Sequence, residues 1–200
     1  MNENRVIGVV LAGGASRRMG GQPKALMAFG SGTLLTTAVA ALRRQVRTVL
    51  VNSNDDDPAY AKDADDVVAD AFRDRRGPLA GVLAAMEWAE VNRPDCLCVA
   101  SVAVDTPLFP VDTVERLCAA REPSGIALAR VDGRPQPTFG VWPIELAADL
   151  RSFLSTSESL KVLAFTGRHS TTFVDFDDAK AFENANTPEE LAALRERAER

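Results

Sequence analysis

One stretch constrains this chain more than any other. The apolar run Val6-Ile7-Gly8-Val9-Val10-Leu11 breaks into Ala12-Gly13-Gly14-Ala15-Ser16-Arg17-Arg18-Met19-Gly20-Gly21-Gln22-Pro23-Lys24. A short apolar run bounded by glycines reads as a buried strand. The loop after it holds four glycines, two arginines and a lysine. Glycine lets a backbone approach a ligand closely and turn its N–H groups toward it, and the cations beside it neutralise several negative charges. Strand, glycine loop and fixed cations together suit a polyphosphate, most often a nucleotide. A plain glycine turn with surface arginines is the competing reading, and no structural need explains three cations there.

The remainder of the chain bounds the partners. With 23 Lys and Arg against 28 Asp and Glu, the net charge is −5, which argues against sequence-independent nucleic-acid binding. The cations of the opening loop are therefore a local feature. No apolar run is long enough to cross a bilayer, and Met1-Asn2-Glu3-Asn4-Arg5 lacks the basic start and apolar core of a signal peptide. The expectation is a cytoplasmic protein with neither nucleic-acid nor membrane partners. Cys96, Cys98 and Cys118 are an odd number in a chain of ordinary size, which argues against a disulfide framework. Cys96 and Cys98 are expected on one face of a strand, as small buried hydrophobes rather than as metal ligands.

Two hundred residues suit one domain, 1–200, and no linker or repeat divides it. Helical spacing of Leu34, Leu35, Ala38, Val39 and Leu42 predicts a helix from Leu34 to about Gln45, started by Ser31-Gly32-Thr33. Thr48–Val51 and Val67–Ala69 read as strands ending at Asn52 and Asp70. Gly77-Pro78-Leu79-Ala80-Gly81 opens an apolar helix through Trp88 and Val91. Cys96–Val102 is an apolar run broken only by Ser101, read as a strand buried on both faces, and it leads to Val104-Asp105-Thr106-Pro107. Asp112 is expected to cap a helix over Thr113–Ala120. This alternation argues for an α/β, mostly parallel sheet with helices on both faces, in which ligands bind at the carboxyl ends of the strands. The opening loop, Asn52, Asp70 and Asp105 all fall at such ends.

The second half reads differently. Ile126–Val131 and Thr138–Trp142 are expected strands around a turn at Asp132-Gly133-Arg134-Pro135. Leu146–Leu154 and Leu160–Phe165 read as helices and His169–Phe176 as a last strand. Thr187, Pro188 and Glu190 form a capping box that starts a final helix.

Two familiar nucleotide motifs do not fit. A dinucleotide fingerprint needs Gly-x-Gly-x-x-Gly and an acidic residue ending the next strand, whereas that strand ends in Asn52. A P-loop needs Gly-Lys followed by Ser or Thr, whereas Lys24 lies between Pro23 and Ala25.

Leu11-Ala12-Gly13-Gly14, Ser16-Arg17-Arg18-Met19-Gly20 and Pro23-Lys24 resemble the signature of compact Rossmann-like nucleotidyltransferases. Asn52, Asp70, Gly77-Pro78-Leu79-Ala80-Gly81, Asp105-Thr106-Pro107 and Asn184-x-Asn186-Thr187-Pro188-Glu189-Glu190-Leu191 narrow the resemblance to molybdenum cofactor guanylyltransferases of the MobA type. It covers almost the whole chain. Val104 stands where a Cys or similar small residue is expected. The resemblance implies a three-layer Rossmann-like nucleotidyltransferase fold with a small β elaboration in the second half. Residues 1–122 would form the nucleotide-binding half and 123–200 the acceptor-binding half. It implies transfer of GMP from GTP to molybdenum-bound molybdopterin with Mg²⁺ as cofactor, with handover partners among molybdenum-cofactor and molybdoenzyme-maturation proteins.

The implied roles suit the chemistry of in-line nucleotidyl transfer, where positioning and charge neutralisation do the work. The Gly13-Gly14 backbone and Arg18 would hold the triphosphate. Lys24 would balance charge on the α-phosphate. Asp105 would hold Mg²⁺. Asn52 and Asp70, with the Leu11, Ala12 and Gly13 backbone, would recognise guanine and ribose. Asn184 and Asn186 would lie near the metal or triphosphate, and Arg130, Arg134, Pro137 and Thr138 would line the acceptor site.

Plainer readings stand beside these. Asp105 also suits a turn before Pro107, and Asn52 and Asp70 also suit turn chemistry. Asn184 to Thr187 also reads as a capped helix start. Arg17 is a candidate partner for Asp74. His169 reads as structural and Asp55-Asp56-Asp57 as a solvated loop. CTP or another NTP, a sugar-phosphate acceptor, or a binder without turnover are the functional alternatives.

Overall fold

The computed structural model describes residues 5–13, 23–72, 74 and 76–199. Its elements in chain order are β1 (Val6–Leu11), β2 (Ala28–Phe29), β3 (Gly32–Thr33), α1 (Leu34–Arg43), β4 (Val49–Asn52), β5 (Asp66–Val68), α2 (Pro78–Asn92) and β6 (Cys98–Ala103). There follow α3 (Thr113–Ala120), β7 (Ile126–Val131), β8 (Arg134–Pro143), α4 (Ala147–Thr156), α5 (Val162–Thr166), β9 (Thr171–Phe176) and α6 (Pro188–Ala198).

Seven strands form one sheet in the order β5-β4-β1-β6-β8-β7-β9. All run the same way except β8, which is antiparallel to both neighbours. The expected α/β, mostly parallel architecture is therefore present. Period-two alternation divides the core. Val6 and Val10 of β1 pack on the face covered by α1, α3 and α6, while Ile7, Val9 and Leu11 pack on the face covered by α2, α4 and α5. Every residue of β1 is buried. Burying one such Val, Ile or Leu is worth about 1.5–3 kcal/mol, so the first strand is a main anchor of the sheet. Helix α2 is buried on most of its circumference, which explains why its sequence is apolar without a clear stripe.

Several local expectations hold in detail. The Thr33 side chain accepts from the Thr36 N–H and Thr36 returns the bond, so a capping box starts α1. The same device starts α6 through Thr187 and Glu190, with Pro188 in the first turn. Three expectations change. Asp112 precedes α3 but makes no side-chain cap; the Val114 N–H goes instead to Gln45 Oε1 at 2.8 Å. The β7–β8 connection is the two-residue turn Asp132-Gly133, with φ of 48° and 72°, and β8 begins at Arg134. Positive φ at both positions matches the twist of a tight hairpin, so no further loop residues are needed. Pro137 lies where the β7–β8 register shifts, between Leu128/Gly140 and Ala129/Gln136, and a missing N–H is tolerated at such a bulge. Finally, Cys96 and Cys98 do not share a face. The strand begins only at Cys98; Cys96 sits in the turn before it, its N–H bonded to the Arg93 carbonyl, and the two thiols enter opposite core layers. Among the described residues no helix is long and apolar enough to cross a membrane.

Candidate active site

Register places the site. Leu11 pairs with Asn52 on one side and with Ala103 on the other, and Asn52 pairs with Val68. The last residues of β1, β4, β5 and β6 are thus level. The segments leaving these strands emerge on one edge of the sheet: Ala12-Gly13, Ser53-Asn54, Ala69-Asp70 and Val104-Asp105. Main-chain bonds hold the exits together, Ala12 N–H to Asn52 O at 2.9 Å and Val104 N–H to Leu11 O at 3.2 Å. Since β4 and β6 flank β1, the chain leaves β1 at a topological switch point, where open α/β sheets bind ligands.

Lys24 lies in a short 3₁₀ turn that leads into the β2–β3 hairpin and is only 5% exposed. Its Nζ donates to Asp105 Oδ2 and to Asn186 Oδ1, each at 2.7 Å. A buried ammonium needs such partners, because an uncompensated charge costs several kcal/mol out of water. The 184–186 segment is stitched to the Asp105 loop. Ala185 N–H donates to Asp105 O at 2.8 Å, and the buried Thr106 hydroxyl donates to Asn184 Oδ1 at 2.5 Å. Glu190 Oε2 accepts from Asn186 N–H at 2.7 Å and Thr187 N–H at 3.0 Å. The capping box of α6 therefore also sets the backbone that carries Asn186. At the other end of the helix, Arg195 donates to the Ala28 carbonyl at 3.0 and 2.6 Å, clamping α6 to the hairpin behind Lys24.

A second group gathers around Asn52. Its Nδ2 donates to Val68 O at 3.1 Å and to Asp70 Oδ1 at 3.0 Å. Asn54 Nδ2 donates to Asp70 Oδ2 at 2.7 Å, and Asn54 Oδ1 accepts from the Asp70 N–H at 2.8 Å. The carboxamide of Asn52 presses on α2 at Gly81. A Cβ there would lie 2.6 Å from Asn52 Cγ and 2.8 Å from Leu11 Cδ2, so the second glycine of Gly-Pro-Leu-Ala-Gly is required by close approach. The first, Gly77, holds a φ of 71° at the start of α2.

The structure thus brings Lys24, Asp105 and Asn186 together, and separately Asn52, Asp70, Asn54 and Gly81, with Leu11, Ala12 and Gly13 at the exit between them. Gly14, Arg17 and Arg18 lie outside the described residues. Asp74, the candidate partner of Arg17, is bonded to Arg76, which holds its carboxyl below the usual carboxylate range. Arg130 donates Nε and Nη2 to Asp175 at 2.6 Å each, and this hydrogen bonding holds the Asp175 carboxyl low. His169 Nε2 lies 3.0 Å from Asp149 Oδ2, and its ring packs on Phe165 with centroids 4.6 Å apart. Asp55 and Asp57 accept from the Asp57 and Ala59 N–H groups, so that run builds a turn. Asn54 and Glu190 join the site although sequence reasoning does not single them out for it; the spacing Asn52-x-Asn54 at a strand end is the available signal for the first.

Two oxygen donors, from Asp105 and Asn186, converge on the single Nζ of Lys24. Carboxylate and carboxamide oxygens are the donors that hard divalent cations take. Among the described residues no three His, Cys, Asp or Glu side chains gather to hold an ion by themselves. A cation here would take substrate oxygens as well.

The chain is similar to known proteins. Residues 8–172 match the family model for the MobA-like NTP transferase domain. A relative from Rhizobium johnstonii, named molybdenum cofactor guanylyltransferase, is 43% identical over 199 residues, covering 96% of this chain and 92% of its own length. Another of that name, from Mesorhizobium japonicum, is 39% identical over 194 residues, covering 94% and 93%. The crystal structure of molybdopterin-guanine dinucleotide biosynthesis protein A from Archaeoglobus fulgidus superposes with a TM-score of 0.73 at 19% identity, over 97% of this chain and 98% of that one, a likeness of fold. The glycine loop after β1, the lysine that closes it and the aspartate that meets that lysine from β6 belong to a chain whose match runs from the first strand into the last: it is a member of the MobA-like NTP transferase family.

Proposed function

We propose that this chain transfers GMP from GTP to molybdenum-bound molybdopterin, releasing pyrophosphate and forming molybdopterin guanine dinucleotide. The observation that carries the reading is the convergence of Lys24, Asp105 and Asn186 at the sheet edge of a chain 43% identical to a relative of that name. Nucleotidyl transfer brings two polyanions together, and the protein's task is to orient them and offset their charge. The Gly13 backbone, with Gly14 and Arg18, holds the triphosphate. Lys24, fixed by two hydrogen bonds, is oriented toward the α-phosphate as its charge develops. Asp105 and Asn186 offer oxygens to Mg²⁺, which when bound neutralises phosphate charge and orients the leaving pyrophosphate. Asn184, whose oxygen accepts from the Thr106 hydroxyl, lies beside them on the same segment. Asn52 and Asp70, with the Leu11 to Gly13 backbone, hold the nucleoside.

Residues 1–122 form the nucleotide half and 123–200 the acceptor half, with Asn186 reaching across to the first. The acceptor docks against Arg134, Pro137 and Thr138 of β8. The setting is the cytoplasm, and the product passes to molybdoenzyme-maturation proteins. The test is pyrophosphate release with molybdenum-loaded molybdopterin and each NTP in turn. GTP is expected to be used at least tenfold better than CTP or ATP, a discrimination of about 1.4 kcal/mol. Equal use of CTP would replace the guanylyl assignment with another nucleotidyl transfer, and binding of GTP without turnover would replace it with a binding protein.

A further inference from the structure

We infer that Asn54 is a positioning residue of the nucleotide site, acting through Asp70 to hold the nucleoside rather than the phosphates. The inference rests on the placement of Asp70 in that site. Asp70 follows β5, an edge strand of only three residues. A strand that short does not by itself orient a side chain two positions past its end. The chain solves this with two amides from the neighbouring strand exit. Asn52 donates to one carboxylate oxygen of Asp70 and Asn54 to the other, at 3.0 and 2.7 Å. Asn54 also accepts from the Asp70 N–H at 2.8 Å, so it grips side chain and main chain at once. The Val68 carbonyl, two residues before Asp70, takes both the Ser53 N–H and Asn52 Nδ2, each at 3.1 Å.

The consequence is directional. With one lone pair of each oxygen occupied, the carboxylate plane is held and one lone pair of each oxygen is left for donors on a bound nucleoside. Asn52 is committed differently: both hydrogens of its Nδ2 are used, and its carboxamide is packed on Gly81. Asn54 is exposed and can be changed without opening the core.

The experiment is calorimetric titration of full-length Asn54→Ala, Asn54→Asp and Asp70→Ala with GTP and, separately, with inorganic tripolyphosphate, each variant first checked by thermal melting. Asn54→Ala is expected to weaken GTP about fivefold while tripolyphosphate affinity stays within about twofold, since a hydrogen bond to a charged group is lost only where the nucleoside sits. Asn54→Asp keeps the acceptor for the Asp70 N–H but sets two carboxylates together, and is expected to weaken GTP more than the Ala variant does. Equal losses for GTP and tripolyphosphate, or none for either Asn54 variant, overturn the inference. If Asp70→Ala binds GTP like the parent protein, the placement of Asp70 itself fails and takes this role with it. If Asp70→Ala loses affinity and the Asn54 variants do not, only the role of Asn54 fails.

Discussion

Lys24 Nζ and Asp105 Oδ2 lie 2.7 Å apart although 81 positions separate them in the chain. Their side chains are 6% and 25% exposed, so the pair sits at the boundary between core and solvent. The ammonium is held from the protein side, while part of the carboxylate faces outward. That asymmetry sets different expectations for the two residues.

Lys24→Met keeps most of the packed stem and removes the charge. On the proposed role, the phosphate charge facing Lys24 grows during the reaction, so turnover at saturating GTP is expected to fall by about 100-fold while GTP affinity changes by no more than about threefold. Steady-state kinetics beside direct GTP titration separates the two. Matched losses in both would remove Lys24 from the reacting phosphate.

Asp105→Asn keeps the size and removes the anionic oxygen. Turnover is expected to drop on the order of 1,000-fold, and Mn²⁺ binding in the presence of GTP, followed by its paramagnetic resonance signal, to weaken in parallel. Chelation should abolish the parent activity and added Mg²⁺ restore it. Retained metal binding in the variant would assign the cation to other ligands.

Gly81→Ala is informative because local propensity predicts the opposite result. Alanine inside a helix is normally better than glycine by about 0.5–1 kcal/mol. Here the added methyl meets the Asn52 carboxamide and Leu11, neither of which can yield without disturbing a strand end. A lower melting temperature together with weaker GTP binding is expected. A variant more stable than the parent would show that Asn52 shifts freely.

Burial pushes the Cys118 thiol up to about 11 from its ordinary value of 9.0. In the unfolded chain it ionises near that ordinary value, so at higher pH the unfolded state gains a charge that the folded state refuses. The stability tied to this thiol is whole below its ordinary value of 9.0 and declines as pH rises toward about 11. Melting temperatures measured across that window should fall less steeply for Cys118→Val. Parallel slopes would mean the thiol ionises equally easily in both states.

The boundary between what sequence and structure each carry is visible residue by residue. The capping boxes at Thr33 and Thr187 are legible because they depend on residues three apart in the chain. The β7–β8 turn is shorter than the expected Asp132-Gly133-Arg134-Pro135 because β8 already begins at Arg134, and a register shift in β8 makes room for Pro137. Cys96 and Cys98 read as sharing a face only if a two-residue period is extended past the true start of β6.

The sequence alone determined the parallel α/β order and the gathering of Gly13, Asn52, Asp70 and Asp105 at strand ends, since alternating apolar runs and polar exits follow from local periodicity. Only the tertiary structure decided which of these groups meet. Strand order put β6 beside β1 and so Asp105 beside Lys24. The docking of α6 brought Asn186, 162 positions away, to the same ammonium. It also set Asn184 against the buried Thr106 hydroxyl, so the two asparagines of one segment meet different partners. Such pairings are set by the need to satisfy buried polar groups across the sheet edge, and that requirement has no period along the chain.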